Sequence, residues 1–134
     1  MSGEAMLEVG IRTDEDCRIA ILTVAAELDV ATSPLLCSAV DKALVYASLQ
    51  LLILDLSGLL FIDAAGLGAL VRARVRAHEQ AASLLLVGAS PRVLRLLRIT
   101  RLIGSFPICA TLADVGGAIH DAAIPGADSD LFTV

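Results

Sequence analysis

Tryptophan is absent from this 134-residue chain, tyrosine occurs once and phenylalanine three times. Aromatics make up only 3% of a sequence that is 57% hydrophobic, with a mean hydropathy of +0.81. The core must therefore come from Leu, Val, Ile and Ala, which fits helices packed on a buried sheet. Cysteine is sparse: Cys17, Cys37 and Cys109 are widely spaced, odd in number and lack a Cys-x-x-Cys pair. That pattern argues against a disulfide framework and suits a reducing compartment. His78 and His120 have no metal-ligand spacing, so neither a metal nor a cofactor is expected. Basic charge is short too, with 10 Lys and Arg against 15 Asp and Glu, a net charge of −5 and a pI near 4.8. Nucleic acid demands the opposite surface. No apolar run reaches the roughly 20 residues of a membrane span. Asp55 and Asp63 interrupt the richest region, and three arginines fall between Leu70 and Gln80. The start of the chain has Glu4 and no basic segment, unlike a secretory signal. Cytoplasm, without membrane insertion, is the expected location. There is no internal repeat, no Walker-type phosphate loop and no nucleophile elbow, and no enzyme activity is expected.

What remains is an aliphatic chain long enough to bury one core without metals or disulfides. Alternating Leu7, Val9 and Ile11 predict a strand over residues 6–11, and polar residues 13–16 predict a hairpin turn. Residues 18–25 alternate again. Ser33-Pro34 predicts a helix start, because Ser caps free amides and Pro has none to lose at the first position. That helix extends to about Ala47, with Leu36, Val40, Ala43 and Leu44 as its apolar stripe. Residues 51–56 form a short apolar run suited to a covered strand, and residues 57–62 a turn. Asp63 caps the next helix, to about Gln80. A buried strand at 84–87, a Ser90-Pro91 helix to about Arg98, a strand at 106–110 and a helix at 112–122 complete the order. Strand and helix in alternation favour a largely parallel sheet. Residues 1–122 read as one domain and 123–134 as a flexible C-terminal tail.

Within the helix after Asp63, Leu67, Leu70, Val71, Val75 and His78 cluster on one face at 100° per residue. Ala65, Gly68, Ala69, Arg72 and Arg76 cluster on the other. If the first face is core, the second is exposed and almost bare near the helix start. Small residues there let another backbone approach closely, and helix propensity explains alanine but not Gly68.

Three landmarks resemble the STAS domain family, of the anti-sigma factor antagonist type. Ala26-Glu27-Leu28-Asp29 is similar to the family's Gly-Glu-Leu-Asp, with alanine replacing the glycine. The run LDLSGLLFIDAAGLGAL from Leu54 to Leu70 is similar to the family signature. Ser90-Pro91 through Ile99-Thr100-Arg101-Leu102 is similar to the family's Ser-Pro helix and Thr-Gly-Leu exit. The resemblance covers about residues 7–122. It implies a STAS-like open mixed sheet, largely parallel, of about five strands with about four helices packed against it. It implies a partner as well: an anti-sigma factor with an ATPase-like kinase fold, captured so that a sigma factor is freed. The family's signature reads Asp-Ser-Ser-Gly or Asp-Ser-Ala-Gly where this chain has Asp63-Ala64-Ala65-Gly66. The serine that is phosphorylated to end the capture falls on Ala65, which cannot accept a phosphate. The contact expected from helix face and resemblance comprises Asp29, Asp63, Ala64, Ala65, Gly66, Gly68, Ala69 and Arg72. The chain is expected to act as a monomer or weak homodimer.

Asp29 and Asp63 as a catalytic pair would need a pocket; a helix cap and a loop acid explain them better. Arg92, Arg95, Arg98 and Arg101 recur every three residues, as a solvated face or a basic rim. Arg74 falls in the apolar stripe, so its stem should be buried and its head should reach solvent or an acid. Cys37 and Cys109 are candidates for a redox switch, against an inert buried role. Ser57, Thr100 and Ser105 are alternative phosphoacceptors away from the motif position. Two further function classes stay open: a STAS accessory subunit of a transporter or a lipid or ligand regulator, and a thiol-switched antagonist.

Overall fold

The computed structural model describes residues 6–121. Strands β1 (Leu7–Thr13), β2 (Ile19–Leu28), β3 (Leu51–Asp55), β4 (Leu59–Ile62), β5 (Ser83–Val87) and β6 (Ile108–Cys109) form one sheet. Helices α1 (Ser33–Leu44), α2 (Ala64–Glu79), α3 (Pro91–Ile99) and α4 (Leu112–Asp121) alternate with them. The order is β1-β2-β3-β5-β6, with β4 on β2 beyond the end of β3. Only the β1–β2 hairpin is antiparallel.

Alternation along the strands sorts the core into two clusters. Ala20, Leu22, Val24, Leu52, Leu54, Leu84 and Leu86 face α1, α2 and α3. Ile19, Ile21, Ile53 and Val87 face Leu112 and Val115 of α4. Helices on both faces explain why β2 and β3 are apolar almost throughout. The expected hairpin turn forms at residues 14–18, slightly later than 13–16 because Thr13 still pairs with Ala20, and is held by the buried Asp14 carboxylate, which accepts from Arg18 N at 2.8 Å and Ile19 N at 3.0 Å. Ser90 caps α3 through Val93 N at 3.3 Å, with Pro91 first in the helix.

Four other local expectations change. Residues 59–62 form β4 rather than part of a turn, because β2 continues past Ala25 and offers Glu27 and Leu28 to Phe61 and Ile62. In α1, Ser33 is already helical; Thr32 occupies the cap position but makes no side-chain cap bond. The same helix ends at Leu44, short of Ala47, where the chain turns to bury Leu49. The final strand shrinks to Ile108–Cys109, although Phe106 just before it is buried. Residues 123–134 and Ala122 lie outside the described residues.

β2 moves from β3 to β4 through an irregularity between Ala26 and Glu27, where Ala26 adopts φ 75°. Left-handed backbone costs an L-residue roughly 1–2 kcal/mol, whereas glycine adopts it freely at an entropic cost of about 0.5–1 kcal/mol. Ala26→Gly should therefore stabilise the fold by about 0.5 kcal/mol, read as a higher urea midpoint at unchanged slope. A lowered midpoint would show that this position carries no strain.

Candidate functional site

β2 and β4 run parallel and end together. Leu28 sits opposite Ile62, and the Asp63 N–H donates to Leu28 O at 3.3 Å. Asp29 and Asp63 each follow one of these strands, which brings the two acids to the same edge. Their side chains fold the backbone. Asp29 Oδ1 accepts from the N–H groups of Ala31 and Thr32, both at 3.0 Å. The Thr32 hydroxyl accepts from Asp29 N at 2.9 Å and reaches Glu27 O at 2.9 Å, so the loop closes on itself. This turn leaves Val30 72% exposed. Asp63 Oδ1 accepts from Gly66 N at 2.9 Å, the cap expected for α2. Both acids thus have backbone roles.

The eight expected contact residues separate into two groups. Ala64 and Arg72 are exposed, and Asp29, Asp63, Ala65 and Gly68 are half-buried. Gly66 and Ala69 are buried, so neither offers a side chain to a partner. A Cβ on Gly66 would lie 2.4 Å from Leu28 O and 2.8 Å from Ile62 Cγ1. Glycine at this position lets the start of α2 rest on the backbone of β2. The core face of α2 is Leu67, Ala69, Leu70, Ala73 and Ala77, while Val75 and His78 are exposed. The expected face is rotated because alanines, where helix and neighbours come closest, mark the inside. Arg76 pairs with Asp41 of α1. Arg74 is half-buried as expected, but its buried Nε has no hydrogen-bond partner among the described residues.

Gly68 differs from Gly66. The nearest atom to a Cβ built there is Arg72 Nη1, at 3.4 Å. Nothing in the fold requires glycine at a position where it weakens the helix by about 1 kcal/mol relative to alanine. Apolar side chains that the expected site omits are exposed on the two segments that run next to Asp29 and Asp63: Leu60 is 76% and Phe61 45% exposed on β4, and Val30 follows Asp29. Their signal in the sequence is that a presumed turn, residues 59–62, is wholly apolar.

The remaining candidates are dispersed. Arg92, Arg95, Arg98 and Arg101 are all exposed. Cys17, Cys37 and Cys109 are free and half-buried. Cys37 packs with the α1 side of the sheet and Cys109 with the α4 side. The sheet stands between them, so they are not placed to form an intramolecular disulfide. Ser57 donates to Asp55 Oδ1 at 2.7 Å, and Thr100 to Leu96 O at 2.7 Å. A crevice of about 260 Å³ lies between the ends of β3 and β5 and the start of α4, lined by Asp55, Ser57, Gly88 and Thr111 among others. Among the described residues no helix is long and apolar enough to cross a membrane, and no group of three metal-ligating side chains is assembled.

Comparison with known folds agrees with this arrangement. An anti-sigma factor antagonist from Mycobacterium paratuberculosis superposes with a TM-score of 0.75 at 24% identity, over 90% of this chain and 100% of the other. An anti-sigma-factor antagonist (STAS) domain protein from Planctomyces limnophilus gives 0.72 at 19% identity, over 84% and 97%. A sulfate transporter family protein from Wolinella succinogenes gives 0.60 at 20% identity, over 70% and 74%. At such identities the likeness is one of fold. No curated protein matches the chain significantly. The STAS domain family model matches residues 10–115, and the chain belongs to that family.

Proposed function

We propose that this chain is an anti-sigma factor antagonist that captures an anti-sigma factor of ATPase-like kinase fold on the outer face of α2. The observation that carries this reading is Gly68, a helix-weakening residue that the fold does not need. A partner backbone approaching closely supplies the need. Ala64, Ala65 and Arg72 share that face, and the exposed Val30, Leu60 and Phe61 stand on the segments next to Asp29 and Asp63. The chain acts by competition and performs no chemistry itself.

Ala65 occupies the position of the family's phosphoserine. It lies in the first turn of α2, where free amides and the helix dipole favour negative charge. A phosphoserine there would add about −1.5 to −2 charges to the docking face. Alanine leaves the face permanently dockable. The transporter-subunit reading has one observation in its favour: the crevice bordered by Asp55 lies at the strand ends where open α/β sheets bind small ligands.

The test is to immobilise the chain, expose it to host-cell proteins and identify what binds. An ATPase-fold anti-sigma factor supports the antagonist; a transporter subunit, or no specific protein, rejects it. Gly68→Ala sharpens the test. It should stabilise the isolated domain by about 0.5–1 kcal/mol and weaken capture roughly tenfold, about 1.4 kcal/mol. Unchanged capture would remove Gly68 from the interface.

A further inference from the structure

β1 is the last strand on its side of the sheet, and among the described residues nothing pairs with its outer edge. Proteins usually block such edges with proline, lysine, a bulge or a very short strand. β1 has no proline, lysine or bulge, its seven residues, LEVGIRT, stay in unbroken register with β2, and its two charges, Glu8 and Arg12, are of opposite sign. The direction of its free backbone groups follows from the ladder. Glu27 N donates to Met6 O at 2.9 Å and Asp14 N to Ile19 O at 3.2 Å. Bonding alternates along an antiparallel pair. The even-numbered residues therefore turn their backbone groups to β2, and Leu7, Val9, Ile11 and Thr13 turn theirs outward.

We propose that this edge is a homodimer interface, on which a second copy of the chain lays its own β1 antiparallel, with the two-fold axis at Gly10. In that register Val9 faces Ile11 of the second copy and Leu7 faces Thr13, which pairs the outward-pointing groups. Glu8 faces Arg12 of the second copy, and the symmetry makes that pair twice. All three side-chain positions on this face, Glu8, Gly10 and Arg12, are exposed, and among the described residues neither charge has an ion-pair partner. A slide of two residues one way would set Glu8 against Gly10, and the other way against the acidic Asp14. Charge therefore selects the register centred on Gly10.

Gly10 is the independent observation. Glycine inside a strand weakens it and often marks close approach by another backbone. Within the fold, a Cβ at Gly10 would meet only Thr23 Cβ, at 4.0 Å. On the axis, Gly10 faces itself in a non-hydrogen-bonded pair, where Cα atoms come to about 4.5 Å. On the other face, Ile11 of the second copy comes beside Val9, over a groove of about 290 Å³ between β1 and α1. Ile11 and Leu35, which line it, are 42% and 53% exposed in the single chain. The outer face of α2 lies beyond the opposite end of β2 from the hairpin, so a dimer of this kind carries two docking faces pointing apart.

Sedimentation velocity on the full chain over a concentration series tests this. A reversible monomer–dimer equilibrium is expected. Arg12→Glu sets like charges opposite each other twice and should weaken the dimer roughly 10- to 30-fold. Adding Glu8→Arg in the same chain exchanges the charges and should restore it. Arg12 is exposed, so an unchanged far-UV circular dichroism spectrum is expected for both variants. A chain that stays monomeric at every concentration overturns the proposal. So does a dimer indifferent to Arg12→Glu, or one that the charge exchange fails to restore.

Discussion

Gly66→Ala is expected to lower the stability of this domain by about 2 kcal/mol, a large loss for one added methyl group. The added carbon would sit 2.4 Å from Leu28 O and 3.0 Å from Leu28 Cγ. A carbonyl oxygen in a sheet cannot yield as a flexible side-chain tip can. The start of α2 must lift away from β2, which loosens the packing of Leu67 and Ile62 beneath it. Overpacking of this kind costs typically 1–3 kcal/mol or more, and the helix-propensity gain of about 1 kcal/mol offsets only part of it. Urea unfolding should show the midpoint falling at a similar slope. Two residues on, Gly68→Ala should move the midpoint the other way. The pair separates glycine needed by the fold from glycine that the fold tolerates. Equal responses at the two positions would contradict the packing described for α2.

Ala65→Glu should abolish most of the partner capture and leave the fold intact. The carboxylate would stand in the first turn of α2, where the dipole favours it by about 0.3–1 kcal/mol. Thermal stability should hold or rise slightly. Capture is another matter, because Ala64, Ala65 and Gly68 leave room for close contact and a charge there must be stripped of water. An unpaired buried charge in an interface costs about 2–5 kcal/mol, so a loss of roughly 100-fold in affinity is expected. Titration calorimetry with the captured partner measures it, and Ala65→Ser, small and uncharged, is the control. Equal affinity for wild type and Ala65→Glu would mean that the partner docks elsewhere.

Much of the fold is legible in the sequence, for identifiable reasons. The Asp63 and Ser90 caps are local chemistry, and both form as expected. The buried strands announce themselves as aliphatic runs. β4 is wholly apolar too, but its four residues show no alternation and follow β3 after only three residues, so they read as part of a turn. The strand exists only because β2 continues far enough to pair with it. The orientation of α2 is obscured for a related reason. Periodicity weighs large side chains, but close helix packing selects small ones, so Gly66 and Ala69 lie inside and Val75 and His78 outside. The left-handed Ala26 is hidden because alanine gives no hint of positive φ. Sequence spacing likewise does not show that the sheet separates Cys37 from Cys109.

The most direct test of the proposal that this chain lacks its family's off-switch uses the anti-sigma factor it is proposed to capture. Wild-type chain and Ala65→Ser are each bound to it, then challenged with ATP. Wild type should stay bound and acquire no phosphate, whereas Ala65→Ser should be phosphorylated at residue 65 and released. Release of the wild-type chain on adding ATP, with phosphate appearing on another of its residues, would contradict the proposal that Ala65 leaves this chain permanently able to bind.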